Sequence, residues 1–154
     1  MLRDQAESKR LAQDDVMEFR YSIQNPERVL RLHCRGSVTA SGLIEMMQHI
    51  AADPECSSEL PVLADLRDAT GEWDYSEAQS FRDYLVRIGR GRQLVRWAAV
   101  MSPGTLVATC HVVILITEPQ ECGIHMRLFE DPALAEAWVL ADRAARARPV
   151  AEQT

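Results

Sequence analysis

Apolar and polar side chains alternate along two consecutive stretches near the start of the chain. The first stretch, "MEFRYSI", begins at Met17, and the second, "VLRLHC", begins at Val29. A period of two residues is typical of strands with one buried face. The polar sequence "NPER" lies between the two stretches, so the pattern predicts an antiparallel hairpin.

The spacing of apolar residues changes to that of a helix after residue 38. Leu43 is the first of four apolar residues at positions i, i+3, i+4 and i+7, which share one helical face. Either Thr39 or Ser41 suits the N-cap of this helix. A second helix is predicted after Asp74, because "DYSE" has the form of a capping box with Asp74 as the N-cap and Glu77 at the third helical position.

Three further apolar runs predict strands: "VLADL" from Val62, "VRWAAVM" from Val95 and "IHMRLF" from Ile124. The first run is continuous, as in a strand that is covered on both faces, and we expect this strand to end at Asp65. The segment "PGTLVATCHVVILITEP" is ambiguous, since "VVILIT" alone suits a strand. Its apolar residues also share a helical face and Pro103 suits a first turn, so we predict a helix.

A last helix is predicted from Pro132, with Leu134, Trp138 and Ala141 facing inward. The resulting order β-β-α-β-α-β-α-β-α predicts an α/β fold. Its sheet is mixed but mostly parallel and has about five strands, because an N-terminal antiparallel hairpin is followed by β-α repeats.

Charge and composition narrow the class of protein. The chain has 154 residues and a formal net charge of −6, which argues against a nucleic-acid binder with its basic face. No apolar run approaches the roughly 18 residues of an integral membrane segment. The charged start has no apolar region of a secretory signal, so we predict a cytoplasmic protein. We expect a polar lead-in at residues 1–15, a single domain at 16–146 and a loose tail at 147–154.

The basic residues and the cysteines give little indication of a functional site. One basic cluster is read as a solvated helix end and the loop after it, with an anion-binding patch as the alternative; it contains Arg87, Arg90, Arg92 and Arg96. The four cysteines form no C-x-x-C pair. Since we predict a cytoplasmic protein, we expect reduced thiols rather than disulfides.

Polar and aromatic side chains follow the ends of the predicted strands. Ligands of open parallel sheets gather outside the carboxyl ends of the strands. A crevice for a ligand or partner is therefore predicted from Asp68, Thr70, Trp73, Tyr75, Ser102 and Thr105. For Asp65 and Asp68 we favour a structural role, in which each carboxylate accepts hydrogen bonds in the loop after the strand.

Two interpretations of Trp73 and Tyr75 stay open. Two aromatic residues in a polar loop can close over a ligand or contact a partner. Alternatively, Trp73 fixes the entry to the following helix by packing on its first turns.

The sequence predicts no catalytic residue, no metal site and no cofactor. Two aspartates without a histidine or third carboxylate at a recognisable spacing make a poor metal site. The adjacent pairs His33–Cys34 and Cys110–His111 diverge on a strand and on a helix, so neither forms a dyad by itself. The sequence motifs of phosphate loops, zinc proteases, serine hydrolases and dinucleotide-binding folds are missing.

Four stretches of the chain resemble the SpoIIAA-like domains, also called STAS or SEC14-type domains, of many bacterial proteins. These stretches are "VLRLHCRGSVTASGL", "PVLADLRDATGEW", "VRWAAVMSPG" and "MRLFEDPALAEAW", and the resemblance spans residues 16–140. It implies a SpoIIAA-like fold and one of two functions, since some relatives are protein-binding switches and others hold lipids in an apolar pocket. The segment "WDYSEA" departs from the phosphorylated Asp-Ser-Ser-Gly pattern of the switches, with Ser76 out of register.

The leading hypothesis is a non-catalytic regulatory or interaction module that binds itself as a homodimer or binds a regulatory protein. The alternative is a carrier or sensor of a small apolar or lipid-like ligand in a SEC14-like pocket. That pocket is predicted under the third helix, with walls from Met46, Met47, Leu106 and Val107. An enzyme that uses Asp65 or Asp68 is the third hypothesis.

Overall fold

The predicted N-terminal hairpin is present. A computed structural model describes residues 16–56, 60–89 and 94–146. In it, strand β1 (Glu18–Gln24) pairs antiparallel with strand β2 (Val29–Ser37). The predicted lead-in at 1–15 and the predicted tail at 147–154 lie outside the described residues.

The remaining strands extend the sheet in chain order. They are β3 (Val62–Thr70), β4 (Val95–Val100) and β5 (Ile124–Phe129), and the strand order is β1-β2-β3-β4-β5. Strands β2 to β5 are parallel to one another. The mixed, mostly parallel sheet that the sequence predicts is therefore confirmed.

Helices connect the parallel strands and follow the last one. They are α1 (Ala40–Ala51), α2 (Tyr75–Gly89), α3 (Thr105–Ile116), the single-turn α4 (Pro119–Cys122) and α5 (Pro132–Arg146). The segment from Thr105 is thus a helix, as predicted, and α4 is an addition to the predicted order.

Side chains cap the first two helices as the sequence indicates. The Thr39 Oγ1 atom accepts a hydrogen bond from the backbone N–H of Gly42 at 3.0 Å, so Thr39 rather than Ser41 is the N-cap of α1. The Asp74 Oδ1 atom accepts from the backbone N–H of Glu77 at 2.8 Å. Each bond satisfies one of the N–H groups that a helix start leaves free.

The sheet separates two apolar layers. On one face, α1 packs through Met46 and Ile50 against the apolar side of β2, and α2 and α3 complete the layer. On the other face, α5 packs against Leu63, Ala98 and Val100 of the two central strands. Strands β1 and β2 also turn polar and charged residues to this second face, where Arg20 lies opposite His33 and Arg31 lies opposite Ser22.

The predicted inward face of α5 is right for Trp138, which is half-buried and packs against the core, but wrong for Leu134 and Ala141. Leu134 is 60% exposed and Ala141 is exposed, whereas Ala135 and Val139 have 0% and 1% exposure. The small Ala135 side chain lies where the helix contacts the sheet at Ala98 and Val100. The prediction placed the bulkier leucine there, but a close contact between a helix and a sheet favours the smaller residue.

The predicted end of the central strand is also wrong. Strand β3 pairs with β4 as far as Asp65 and then continues along β2 to Thr70. Asp65 lies opposite His33, and Asp68 lies opposite Arg35, so β3 has one more residue than β2 over this interval. Such a bulge redirects the strand without ending it. Asp68 and Thr70 are consequently strand residues and not loop residues.

Candidate functional site

Three polar side chains tie together the loops at the carboxyl edge of the sheet. The Thr105 hydroxyl donates to the Gly71 carbonyl at 2.9 Å, and the Thr70 hydroxyl contacts the Gly36 carbonyl at 3.5 Å. The Trp73 indole N–H donates to the Val38 carbonyl at 2.9 Å. Three members of the predicted crevice, Thr70, Trp73 and Thr105, therefore have structural partners.

Trp73 fixes the entry to α2, which is the structural interpretation of this residue. Its ring makes an edge contact with Phe81, with the centroids 5.5 Å apart, and its backbone N–H lies 3.3 Å from Thr109 Oγ1. Phe81 belongs to the core between α2 and α3. The Trp73 indole thus connects the end of β2 with α2, and its backbone N–H adds a contact with the first half of α3.

The other three members of the predicted crevice lie at the surface. Tyr75 is 59% exposed, Ser102 is exposed, and the Asp68 side chain is 68% exposed. Binding of a ligand or partner by the six residues stays a prediction.

Each of the two candidate aspartates has a basic partner. Both carboxylate oxygens of Asp65 accept from the Arg67 guanidinium, at 2.9 and 2.8 Å. This bidentate pair holds the pKa of Asp65 below its usual value, and the Arg67 backbone N–H adds to the effect. Asp68 Oδ2 lies 3.0 Å from His33 Nε2.

The His33–Asp68 pair is a contact that the sequence analysis missed. His33 was assigned to the polar side of β2, and the pairing register decides which residue of β3 it contacts. The bulge in β3 sets that register, and the residue pattern gives no sign of it. The segments "RLHCR" and "LADLRD" do contain a histidine and two carboxylates, but only the observed pairing register brings these residues together.

The side chains around His33 and Asp68 do not gather into a metal site in the part of the chain that the structure describes. Among residues 16–56, 60–89 and 94–146, no group of three His, Cys, Asp or Glu side chains is placed to hold a metal ion. The neighbouring Cys34 points to the opposite face of β2, into the core beside Met46. Burial raises the pKa of the Cys34 thiol to about 11, which keeps it protonated at neutral pH.

The residues proposed as walls of an apolar pocket are part of the core. Met46 is 5% exposed and packs with β2, and Met47 is packed against the same cluster. Leu106 is also 5% exposed but belongs to another cluster, with Val38 and Met101. The pocket of a carrier stays a prediction that these positions do not favour.

The two described arginines of the basic cluster point to different elements. The Arg87 guanidinium lies 5.4 Å from the centre of the Tyr84 ring on α2. The Arg96 guanidinium lies 4.7 Å from the Trp138 ring and donates to the Trp138 carbonyl on α5. Arg90 and Arg92 lie outside the described residues. The predicted solvated helix end accounts for Arg87, and packing on α5 accounts for Arg96.

Helix α3 presents an uncharged face to the surface, which the sequence analysis did not identify. Its sequence, "TLVATCHVVILI", has no Asp, Glu, Lys or Arg. Leu106, Thr109 and Val113 are buried, whereas Ala108, His111 and Leu115 are exposed, Leu115 by 81%. We call the exposed residues Ala108, His111 and Leu115, together with the half-buried Val112 that packs against the core, the α3 seam. The signal for it was the uniform apolarity that made this segment ambiguous between helix and strand.

The C-terminal end of the α3 seam is held by α2 and α4. The Arg82 side chain of α2 donates from Nε to the Ile116 carbonyl at 2.9 Å and from Nη2 to Glu121 of α4 at 2.8 Å. A cation at this position suits the carbonyl end of a helix. Leu115 is thus presented by an anchored helix end.

No helix in the described part of the chain has the length and apolar composition of a membrane span.

Comparison with known proteins identifies the fold. No protein-family model matches the chain, and no curated protein matches it. A solved structure that the chain resembles is an uncharacterized protein of the DUF3478 family from Shewanella loihica PV-4, which has a SpoIIAA-like fold. The two chains share 16% sequence identity, the match covers 80% of this chain and 95% of that one, and the TM-score is 0.52. The protein therefore has the SpoIIAA-like α/β fold that the resemblance predicted.

Proposed function

We propose that the protein is a non-catalytic regulatory module that self-associates as a homodimer through the α3 seam. The observation that carries this proposal is the 81% exposure of Leu115 on a helix without formal charge. Covering a leucine side chain contributes about 1.5–3 kcal/mol. Leu115 shares one side of α3 with the exposed Ala108 and the half-buried Val112, and exposed apolar surface is a mark of interaction sites where such residues adjoin.

The other exposed apolar side chains do not form a comparable stripe. Among the residues that the structure describes, they are Val16, Tyr75, Leu94 and Leu134, which are 56%, 59%, 47% and 60% exposed and lie before β1, on α2, before β4 and on α5, respectively. Single exposed apolar residues are ordinary on protein surfaces. We place the interface on the α3 seam because its four residues lie on one side of one helix that has no Asp, Glu, Lys or Arg.

The chemistry of the candidate residues supports a role without catalysis. Burial raises the pKa of both Cys34 and Cys110 to about 11, so neither thiol is an activated nucleophile at neutral pH. Asp65 forms its ion pair with Arg67 on the same strand. These arrangements suit an interaction module better than an enzyme that relies on either group.

A carrier of apolar ligands is the less favoured function. Its pocket would require Met46 and Leu106 to leave the separate core clusters that they now fill. Opening a well-packed core costs several kcal/mol, whereas covering the α3 seam requires no rearrangement.

Sedimentation equilibrium of the purified chain tests self-association. One helix length of contact is small beside the ~1,600 Å² of a standard interface, so we expect a reversible dimer in the micromolar range. The apparent mass should rise from 17.4 kDa toward twice that value as the concentration increases from about 1 μM to about 1 mM. A mass that stays at one chain over this range contradicts the proposal, and the α3 seam would then require a different protein as its partner.

A further inference from the structure

Basic and aromatic side chains gather where the last described strand meets α5. Strand β5 stands at one end of the strand order, and its residues His125, Arg127 and Phe129 alternate onto the face that α5 covers. The Trp138 ring of α5 lies beside them, with its centre 5.2 Å from that of His125 and 5.8 Å from that of Phe129. We call His125, Arg127 and Trp138 the β5–α5 cluster.

Aromatic rings, and not a carboxylate, position the Arg127 side chain. Its guanidinium carbon lies 5.0 Å from the centre of the Phe129 ring and 6.0 Å from that of the Trp138 ring, distances at which a cation and a ring attract each other. Within the described part of the chain, Arg127 has no ion pair, whereas Arg35 and Arg67 each have a carboxylate partner. A ring face uses none of the N–H donors of a guanidinium, so those of Arg127 remain available to an anion.

His125 places a second donor next to Arg127. The two residues are two positions apart on one face of β5, which is ~6.6 Å along the strand, and both are exposed. An imidazole carries at least one N–H in either charge state. Arg96 of β4 fixes the neighbouring indole, because its guanidinium donates to the Trp138 carbonyl at 2.8 Å and lies 4.7 Å from the Trp138 ring. The cluster is therefore held in place by the sheet and by α5.

We infer that the β5–α5 cluster binds a phosphate group, as the free ion or as a monoester, through Arg127 and His125. A guanidinium holds two oxygen atoms of an anion by parallel hydrogen bonds. A carboxylate has no further oxygen, whereas a phosphate group presents a third to the imidazole N–H. The two donors together thus favour phosphate over carboxylate. This inference does not depend on self-association, because the cluster and α3 lie on opposite faces of the sheet.

Proton–nitrogen NMR of the full chain tests the site, with the indole N–H of Trp138 as the reporter. Trp73 and Trp97 are the internal references, because they pack on the opposite face of the sheet. Sodium phosphate, phenyl phosphate and sodium acetate are titrated separately at constant ionic strength, since salt screens exposed charges.

We expect phosphate to shift the Trp138 signal saturably, with a Kd of about 1 mM, and to leave both reference signals unchanged. Acetate should bind at least about fivefold more weakly, because it leaves one donor unused. A Kd for phenyl phosphate at or below that of inorganic phosphate would assign the site to a monoester, and a higher Kd would assign it to the free ion.

Arg127→Gln and Arg20→Gln form a matched pair, because both remove one positive charge from an exposed position on a strand at an end of the sheet. We expect Arg127→Gln to raise the Kd for inorganic phosphate at least about tenfold and Arg20→Gln to change it less than about twofold. Unchanged Trp73 and Trp97 signals check that each variant is folded.

Three results would each overturn the inference. The first is the absence of a saturable Trp138 shift up to about 50 mM phosphate, which is far above the expected Kd. The second is equal affinity for acetate and phosphate, and the third is an equal loss of phosphate affinity in Arg127→Gln and Arg20→Gln.

Discussion

The substitution Gly89→Ala is expected to destabilise the protein by about 3 kcal/mol or more. A Cβ atom at residue 89 would lie 1.5 Å from the Cys122 carbonyl oxygen and 2.2 Å from its carbonyl carbon. These are backbone atoms of α4, so the clash cannot be relieved by rotating a side chain. The gain of about 1 kcal/mol in helix propensity from glycine to alanine is too small to offset it.

Urea unfolding of Gly89→Ala beside Gly104→Ala measures this effect. Nothing lies within 4 Å of a Cβ atom at Gly104, the N-cap of α3, so the control should cost only the poorer capping by alanine, about 0.5–1 kcal/mol. Equal stability of the two variants would mean that α2 and α4 do not approach as closely as described. Because α4 supplies Glu121 to Arg82, which holds the end of α3, this contact also positions Leu115.

The substitution Trp73→Ala is expected to cost about 3–4 kcal/mol of unfolding free energy. It removes the edge contact with Phe81 and leaves the Val38 carbonyl without the indole donor that it now has at 2.9 Å. An unsatisfied buried carbonyl alone costs about 1–3 kcal/mol. Trp73→Phe, which keeps an aromatic ring but loses the donor, should fall between the wild type and Trp73→Ala.

Tyr75→Ala is the control for the neighbouring aromatic residue. Tyr75 is 59% exposed, and its removal should change stability by no more than about 0.5 kcal/mol. Chemical denaturation of Trp73→Ala and Tyr75→Ala therefore separates a structural tryptophan from a surface tyrosine. If Trp73→Ala were as stable as the wild type, the loop would hold Trp73 for a ligand or partner instead.

Periodicity accounts for much of the fold. Alternation identified β1 and β2, and the helical spacing from Leu43 identified α1. Local chemistry located the helix starts, because the side-chain oxygens of Thr39 and Asp74 accept from backbone N–H groups only three residues away. Contacts of this kind depend on neighbouring residues, so the residue pattern contains them.

The features that the sequence did not reveal depend on contacts between distant segments. The bulge in β3 arises from pairing with β2, about thirty residues earlier, and it places Asp68 beside His33. Which face of α5 is buried depends on the close contact of Ala135 with Ala98 and Val100. The bulge and the buried face of α5 both depend on which side chains of distant segments lie opposite one another. The pattern of apolar residues along the chain does not determine that pairing.

The candidate site was also predicted only in part from the sequence. The sequence located the carboxyl edge of the sheet, where Trp73 and Thr105 do meet the loops after β2 and β3. It did not identify the α3 seam, because apolar residues all round a helix normally indicate burial on every side. Only the packing of α3 shows that Leu115 is left uncovered.

The most direct test of the central claim compares Leu115→Glu with Leu134→Glu by sedimentation equilibrium at one concentration. Both leucines are exposed, by 81% and 60%, so both variants should fold, but only Leu115 lies on the α3 seam. Since each dimer would bury two unpaired carboxylates, Leu115→Glu should weaken self-association at least about 100-fold, while Leu134→Glu should associate like the wild type. Equal association of the two variants would contradict a dimer formed through α3.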